Sequence, residues 1–141
     1  MKLTAKQKEL VAAAAAARQR AYAPYSHFAV GAALRLSDGS IVTGVNVENV
    51  SYGLTICAER NAIGAAVLAG FGPGDVVEIA VAAQAEKHVS PCGACRQVLA
   101  ELSLAEAPVL MHRLPDGDTD ISKLSDLLPK SFDSSSLPKK R

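Results

Sequence analysis

Three cysteines and one glutamate are the residues most able to do chemistry. Cys92 and Cys95 form a C-x-x-C pair in SPCGACRQVLAE, and Cys57 stands two residues before Glu59 in SYGLTICAERNA. Positions three apart at a helix start share a face, so both thiols of the pair can chelate one ion. The partial positive charge of a helix N-terminus favours their thiolate form. Cys57 heads a second predicted helix. If the two helix starts meet, three thiolates converge on one point. An odd number of cysteines makes a poor disulfide framework and a better metal or redox set in a reducing compartment. A thioredoxin-like redox pair leaves Cys57 without a part, and packing alone explains none of the spacing. A zinc ion uses all three.

Structural zinc sites are usually closed by four protein ligands, whereas catalytic ones have three and keep a position for water. Of His27, His88 and His112, only His88, four residues before Cys92, is placed to close the site. His27 and His112 read as loop and strand residues without a metal role. Glu59 argues for an open site, because a carboxylate is costly to bury unless something uses it. Residues two apart on a regular helix point to roughly opposite sides. Glu59 can therefore reach the metal's open position only if Cys57 lies at the very first turn.

The elements that must position these groups can be read along the chain. Thr4 and Gln7 fit a capping box before an alanine-rich helix over residues 5–21. AYAPYS is a loop, FAVGAALRL a strand, SDGS a turn and IVTGVNV its antiparallel partner. Residues 48–56 read as irregular. A helix then runs from near Cys57 to before Gly70, and VVEIAVAA reads as a central buried strand. AEKHVSP connects to a helix capped by Ser90, with Pro91 at its first position, that carries Cys92 to about Leu102. PVLMHRL is a strand, PDGD a turn and SKLSDLL a short helix ended by Pro129. The order α-β-β-α-β-α-β-α predicts helices packed on a mixed sheet.

Composition bounds the functional classes. At 141 residues and 49% hydrophobic, the chain is the size of one globular domain. The formal net charge of +1 and 4% aromatic content argue against a nucleic-acid binder, which needs a basic face and stacking platforms. No apolar run reaches the ~20 residues that cross a bilayer. The opening MKLTAKQKEL is too charged for a secretory signal, so a cytoplasmic protein is expected.

Cys57-Ala58-Glu59 with Pro91-Cys92-Gly93-Ala94-Cys95 matches the paired signatures of zinc-dependent nucleoside deaminases. YAPYSHFAVGAAL, TGVNVENVSYGLTICAERNAI, SPCGACRQVLAE and LLPKSF extend the match over most of residues 20–132. Together they resemble the small homotetrameric cytidine deaminases of the three-cysteine zinc type. The resemblance implies an α/β fold of three layers, α/β/α, around a mixed, about five-stranded sheet. It implies one deaminase domain over residues 1–132, while the polar composition of DSSSLPKKR reads residues 133–141 as a disordered tail. It also implies one Zn²⁺ per subunit, held by Cys57, Cys92 and Cys95. The implied reaction is hydrolytic deamination of cytidine and deoxycytidine in pyrimidine salvage. Zinc-bound hydroxide attacks C4 while Glu59 shuttles protons.

Three thiolates on one divalent cation leave a net negative charge, which weakens the ion as a Lewis acid. The resemblance gives Arg60 the role of hydrogen-bonding those thiolates. Arg96 is a candidate for similar support, or a surface or interface residue. Asn46 and Glu48 match residues that bind ribose hydroxyls, and positions two apart on an extended segment share a face. The lesser reading of Asn46 is a loop cap. Phe28 matches an aromatic wall against the pyrimidine, although alone it reads as a strand residue. The Ala58 amide is assigned to the base carbonyl and the Ser90 carbonyl to the leaving amine. In the homotetramer, Phe132 reaches a neighbour's pocket and Tyr52 lies in the interface loop. Lys139, Lys140 and Arg141 extend beyond the usual end of the family and read as a solvated terminus. Three alternatives are a deaminase of another cytosine nucleoside of the blasticidin type, a zinc-stabilised nucleic-acid-binding module and a catalytically dead interaction subunit.

Overall fold

A computed structural model describes residues 2–115 and 117–138. Helix α1 (Ala5–Arg18) opens with the capping box: Thr4 Oγ1 accepts from the Gln7 amide, and the Gln7 side chain accepts from the Thr4 amide. Such a cap contributes about 1 kcal/mol. Strands β1 (Val30–Leu36) and β2 (Ile41–Val45) form a hairpin around Gly39, whose positive φ of 88° suits the tight turn. Helix α2 (Ala58–Leu68), strand β3 (Val76–Gln84), helix α3 (Gly93–Leu102) and strand β4 (Pro108–Leu114) follow. Strand β5 (Asp118–Lys123) and the short α4 (Leu124–Leu127) come last.

The sheet order is β2-β1-β3-β4-β5. β3 and β4 are parallel, joined through α3, and the other neighbours are antiparallel. Alternation along the strands divides two cores. Ala33, Ala80, Ala82 and Leu110 face Leu10, Val11 and Ala14 of α1. Leu34, Ile79, Val81, Val109 and Met111 join Ala62, Ile63 and Leu99 of α2 and α3. The expected three-layer α/β/α arrangement is thus formed by one helix on the alanine-rich face and the others on the bulkier face. No helix among the described residues is long and apolar enough to cross a membrane.

Several local boundaries differ from the sequence expectations. α1 ends at Arg18 rather than near residue 21, and β1 begins at Val30 rather than Phe28. β2 stops at Val45, two residues early, because Asn46 turns its side chain onto the backbone of β1. The segment read as PDGD turn plus helix contains β5. Its polar outward positions hide the strand: it is an edge, half-buried only at Thr119, Ile121 and Ser122. Ser90 does not cap α3. Cys92 occupies that place, and its sulfur accepts from the Cys95 amide at 3.4 Å. A 3-10 turn covers Ser134–Ser136, while the basic end Lys139, Lys140 and Arg141 lies outside the described residues.

Two close approaches fix the helices. A Cβ on Gly31 would stand 2.0 Å from the Ala14 carbonyl oxygen, and one on Gly44 would stand 2.4 Å from the Ala62 nitrogen and 2.5 Å from the Ala58 oxygen. The second contact sets the first turn of α2 directly on β2. Gly44→Ala should therefore push that turn outward. We expect a loss of about 1–3 kcal/mol in stability and a lower zinc occupancy, measured by thermal unfolding and metal analysis. Native values for both would show that the contact does not position the turn.

Candidate metal centre and adjoining pocket

The two helix starts do meet. Cys57 is the N-cap of α2, Cys92 is the N-cap of α3, and Cys95 lies in the first turn of α3. The three sulfur atoms all lie within 4.8 Å of one another. Tetrahedral coordination at a Zn–S distance of ~2.3 Å places sulfurs ~3.8 Å apart, so this donor set fits one zinc ion with little adjustment. Among the described residues the cluster contains no histidine. His88, considered as a closing ligand, turns away to β5, with Nε2 3.1 Å from Asp118 Oδ2. Glu59 follows one residue after the first position of α2, as its reach to the site required.

The electrostatics of the cluster is uneven. Burial pushes the Cys95 thiol far above its ordinary value, and the nearby Glu59 charge adds to this. For Cys92 burial acts in the same direction, but hydrogen bonds outweigh it: the Cys95 amide, the Cys95 and Cys57 thiols and the Ala94 amide lower its pKa. A bound divalent cation would complete the ionisation that burial opposes at Cys95, since coordinated thiols lose their protons. Arg60 Nη2 donates to Cys57 Sγ at 3.6 Å, and its guanidinium is also engaged by Cys95.

Glu59 is 5% exposed. Burial raises its pKa, with the Glu59 amide and the Arg60 charge acting in opposition. It lines a cavity of about 220 Å³ with Phe28, Asn46, Ala58, Ser90 and the metal-side Cys57 and Cys92. Sequence reasoning had singled out each of these residues. It missed Val30, Thr55 and Val89, which complete the wall. Thr55 sits two residues before Cys57 on the extended approach to α2, and that spacing was the available signal.

The expected sugar contacts divide. Asn46 reaches the cavity, yet its amide is committed to β1: Oδ1 accepts from the Val30 amide and Nδ2 donates to the Phe28 carbonyl, each at 2.8 Å. It holds Phe28 in place as well as facing the pocket. Glu48 opens on an adjoining hollow of about 330 Å³ with Tyr25, Ser26, Tyr52 and Thr55, the last shared with the metal-side cavity. The Ser26 hydroxyl, the Ser26 amide and the Tyr25 amide all donate to the Glu48 carboxylate. The Ser26 hydroxyl bond is the main cause holding its pKa below the usual range.

Tyr52 and Phe132 stand outside their own chain's metal-side cavity, 72% and 61% exposed. Arg96, the second candidate for supporting sulfur, does something else. Its Nε donates to the Pro91 carbonyl at 2.7 Å, Nη1 to the Leu127 carbonyl at 2.7 Å and Nη2 to Ser90 Oγ at 2.9 Å. A guanidinium with three separately directed groups suits three oxygen acceptors better than a single sulfur.

Comparison with known proteins places this geometry among relatives. Residues 4–111 match the family model of the cytidine and deoxycytidylate deaminase zinc-binding region. A cytidine deaminase of Halalkalibacterium halodurans is 51% identical over 123 residues, covering 87% of this chain and 91% of that protein. One from Mycobacterium tuberculosis is 46% identical over 121 residues, covering 86% and 85%. The crystal structure of a cytidine deaminase from Burkholderia pseudomallei superposes with a TM-score of 0.86 at 47% identity, covering 92% of this chain and all of that one. Three thiols at two helix starts, a buried glutamate beside them and a match across most of the chain agree: the chain belongs to the zinc-dependent cytidine and deoxycytidylate deaminase family.

Proposed function

We propose that the chain hydrolyses cytidine and deoxycytidine to uridine and deoxyuridine, releasing ammonia, as a cytoplasmic step of pyrimidine salvage. The observation that carries this reading is the buried Glu59 beside three convergent thiols, on the wall of a cavity sized for a pyrimidine. One domain over residues 1–132 performs the reaction. Cys57, Cys92 and Cys95 hold one zinc ion, which supplies the Lewis acidity that ionises water near neutral pH. Glu59 accepts the proton of the attacking water and delivers it to ring N3. Oxygen bonds to C4, and Glu59 then takes the remaining proton of that hydroxyl and passes it to the amine as the C4–N bond breaks, leaving the C4 carbonyl and ammonia. Its buried position suits a carboxyl that must hold a proton between these two transfers.

The remaining residues bind and orient. Phe28 offers its ring to the pyrimidine, held at the correct depth by Asn46. The Ala58 amide, at the first position of α2 and so without an intrahelical acceptor, suits the base carbonyl. The Ser90 carbonyl receives the amine. Glu48 stays ionised and, with Asn46, accepts the sugar hydroxyls. Arg60 draws charge from the thiolates, so that the metal remains electrophilic. A homotetramer with shared pockets is supported by the large apolar side chains left outside: Val50 is 75%, Tyr52 72%, Leu54 67%, Leu68 91% and Phe132 61% exposed. In that assembly Phe132 and Tyr52 complete a neighbouring site.

Three experiments test this reading. Glu59→Gln should retain one zinc per chain while ammonia release from cytidine falls on the order of 100- to 10,000-fold; a near-native rate would remove Glu59 from proton transfer. Glu48→Gln should lower kcat/KM for cytidine by about 10- to 100-fold and leave any activity on free cytosine unchanged, whereas equal loss on both would refute a sugar contact. Finally, Phe132→Ala should raise KM without changing zinc content, and hybrids with Glu59→Gln subunits should regain low-KM turnover. Hybrids that keep the Phe132→Ala value of KM would show that no pocket is shared.

A further inference from the structure

The loop between β3 and α3, residues 85–92, brings Val89 and Ser90 to the cavity wall and ends at the metal-side Cys92. It has no regular structure, and side chains hold it. Arg113 Nη1 donates to the Glu86 carbonyl at 3.1 Å, and His88 faces Asp118 at 3.1 Å. Among the described residues, the side-chain hydrogen bonds to Ser90 and Pro91 come from Arg96. The same guanidinium reaches the Leu127 carbonyl, one of the unsatisfied oxygens at the end of α4. The Arg96 amide meanwhile donates to the Cys92 carbonyl at 2.9 Å within the start of α3. One half-buried residue thus ties the peptide on which Ser90 sits to two helices.

We propose that Arg96 is a positioning residue for substrate: it fixes the Ser90–Pro91 peptide at the depth where the Ser90 carbonyl meets the 4-amino group. The inference rests on the deaminase reading above and extends it to a residue that touches neither metal nor substrate. Its physical content is a separation of roles along the loop. Cys92 is the N-cap of α3, where its sulfur accepts from the Cys95 amide, so its place does not depend on the Arg96 guanidinium. Ser90 is two residues away and has no other anchor in the loop's last three residues among the hydrogen bonds described. Loss of Arg96 should therefore release the amine contact and leave the metal in place. Lysine cannot replace it, because a single ammonium cannot meet acceptors on Pro91, Ser90 and Leu127 in the same fixed directions. Gln97 beside it donates to the Phe132 carbonyl at 2.8 Å, so the next residue of α3 holds the C-terminal aromatic and not the loop.

The test compares the zinc-loaded native chain with Arg96→Gln and with Arg96→Lys, the variant that preserves the charge. Cytidine turnover is measured beside the affinity for pyrimidin-2-one riboside, which keeps the sugar and ring but has hydrogen in place of the amine. For both variants we expect one zinc per chain. Cytidine kcat/KM should fall on the order of 100-fold for glutamine and about 10-fold for lysine, with affinity for the amine-free riboside changed less than about threefold. Gln97→Ala should leave the ratio of the two quantities native. A parallel loss for both nucleosides, zinc loss in step with activity, or native turnover in Arg96→Gln would each overturn the role. If the native chain releases no ammonia from cytidine, the deaminase reading itself fails and takes this role with it. If the native chain is active, the variants judge Arg96 alone.

Discussion

The structure depends on the meeting of two helix N-termini. Each brings unsatisfied amides and a partial positive charge to the same few ångströms, and each is headed by a cysteine. Without that field, three thiols within 4.8 Å would resist joint ionisation, as the burial of Cys95 already shows. With it, and with Arg60 donating to Cys57, a trithiolate becomes tolerable and a divalent cation becomes its natural partner. The rest of the fold can be understood as the means of holding these two helix starts together. Gly44 lets α2 lie on β2, and the parallel β3–α3–β4 unit delivers α3 beside it.

The same constraint explains how the pocket is divided. Groups that need fixed depth lie on regular elements or are bonded to them: Glu59 in the first turn of α2, and Phe28 held through Asn46 to the start of β1. Glu48, Tyr52 and Thr55 of the adjoining hollow lie on the segment between β2 and α2. That segment is closed at its base by paired backbone bonds between Val47 and Ile56, and its residues 49–54 are exposed. Glu48 is the exception within it, stiffened by donors from Tyr25 and Ser26. Tilted contact of the Tyr25 and Tyr52 rings, 5.7 Å apart, extends this support outward.

Much of this was readable in the sequence where chemistry and spacing coincide. Cys57, Glu59 and the C-x-x-C pair announced a shared centre, and the Thr4–Gln7 box announced the start of α1, because these signals act within a turn of helix. The central strands were legible as apolar runs. β5 was not, because an edge strand with polar outward positions lacks the apolar alternation that marks the others. The cap of α3 was misassigned for a chemical reason. Serine is the usual oxygen cap, and nothing in local propensity says that a sulfur one turn before Cys95 will take its place. The roles of Arg96 and Asn46 were hidden more deeply. Each depends on partners distant in the chain, the Leu127 carbonyl for one and the Phe28 carbonyl and Val30 amide for the other, and only tertiary structure brings them within reach.

The two faces of the sheet also differ in how freely their side chains can be exchanged over generations. Against α1 the strands present Ala33, Ala80 and Ala82, with Gly31 at the point of nearest approach. Nearly every replacement there adds volume, and at Gly31 the nearest atoms are backbone of Ala14 and Arg18, which cannot shrink to compensate. On the opposite face Leu34, Ile79, Val81, Val109 and Met111 can trade methylenes among themselves at constant total size. Sequence divergence should accumulate on the bulky layer and stall on the small one, so the side remote from the thiols is the less permissive half of the core.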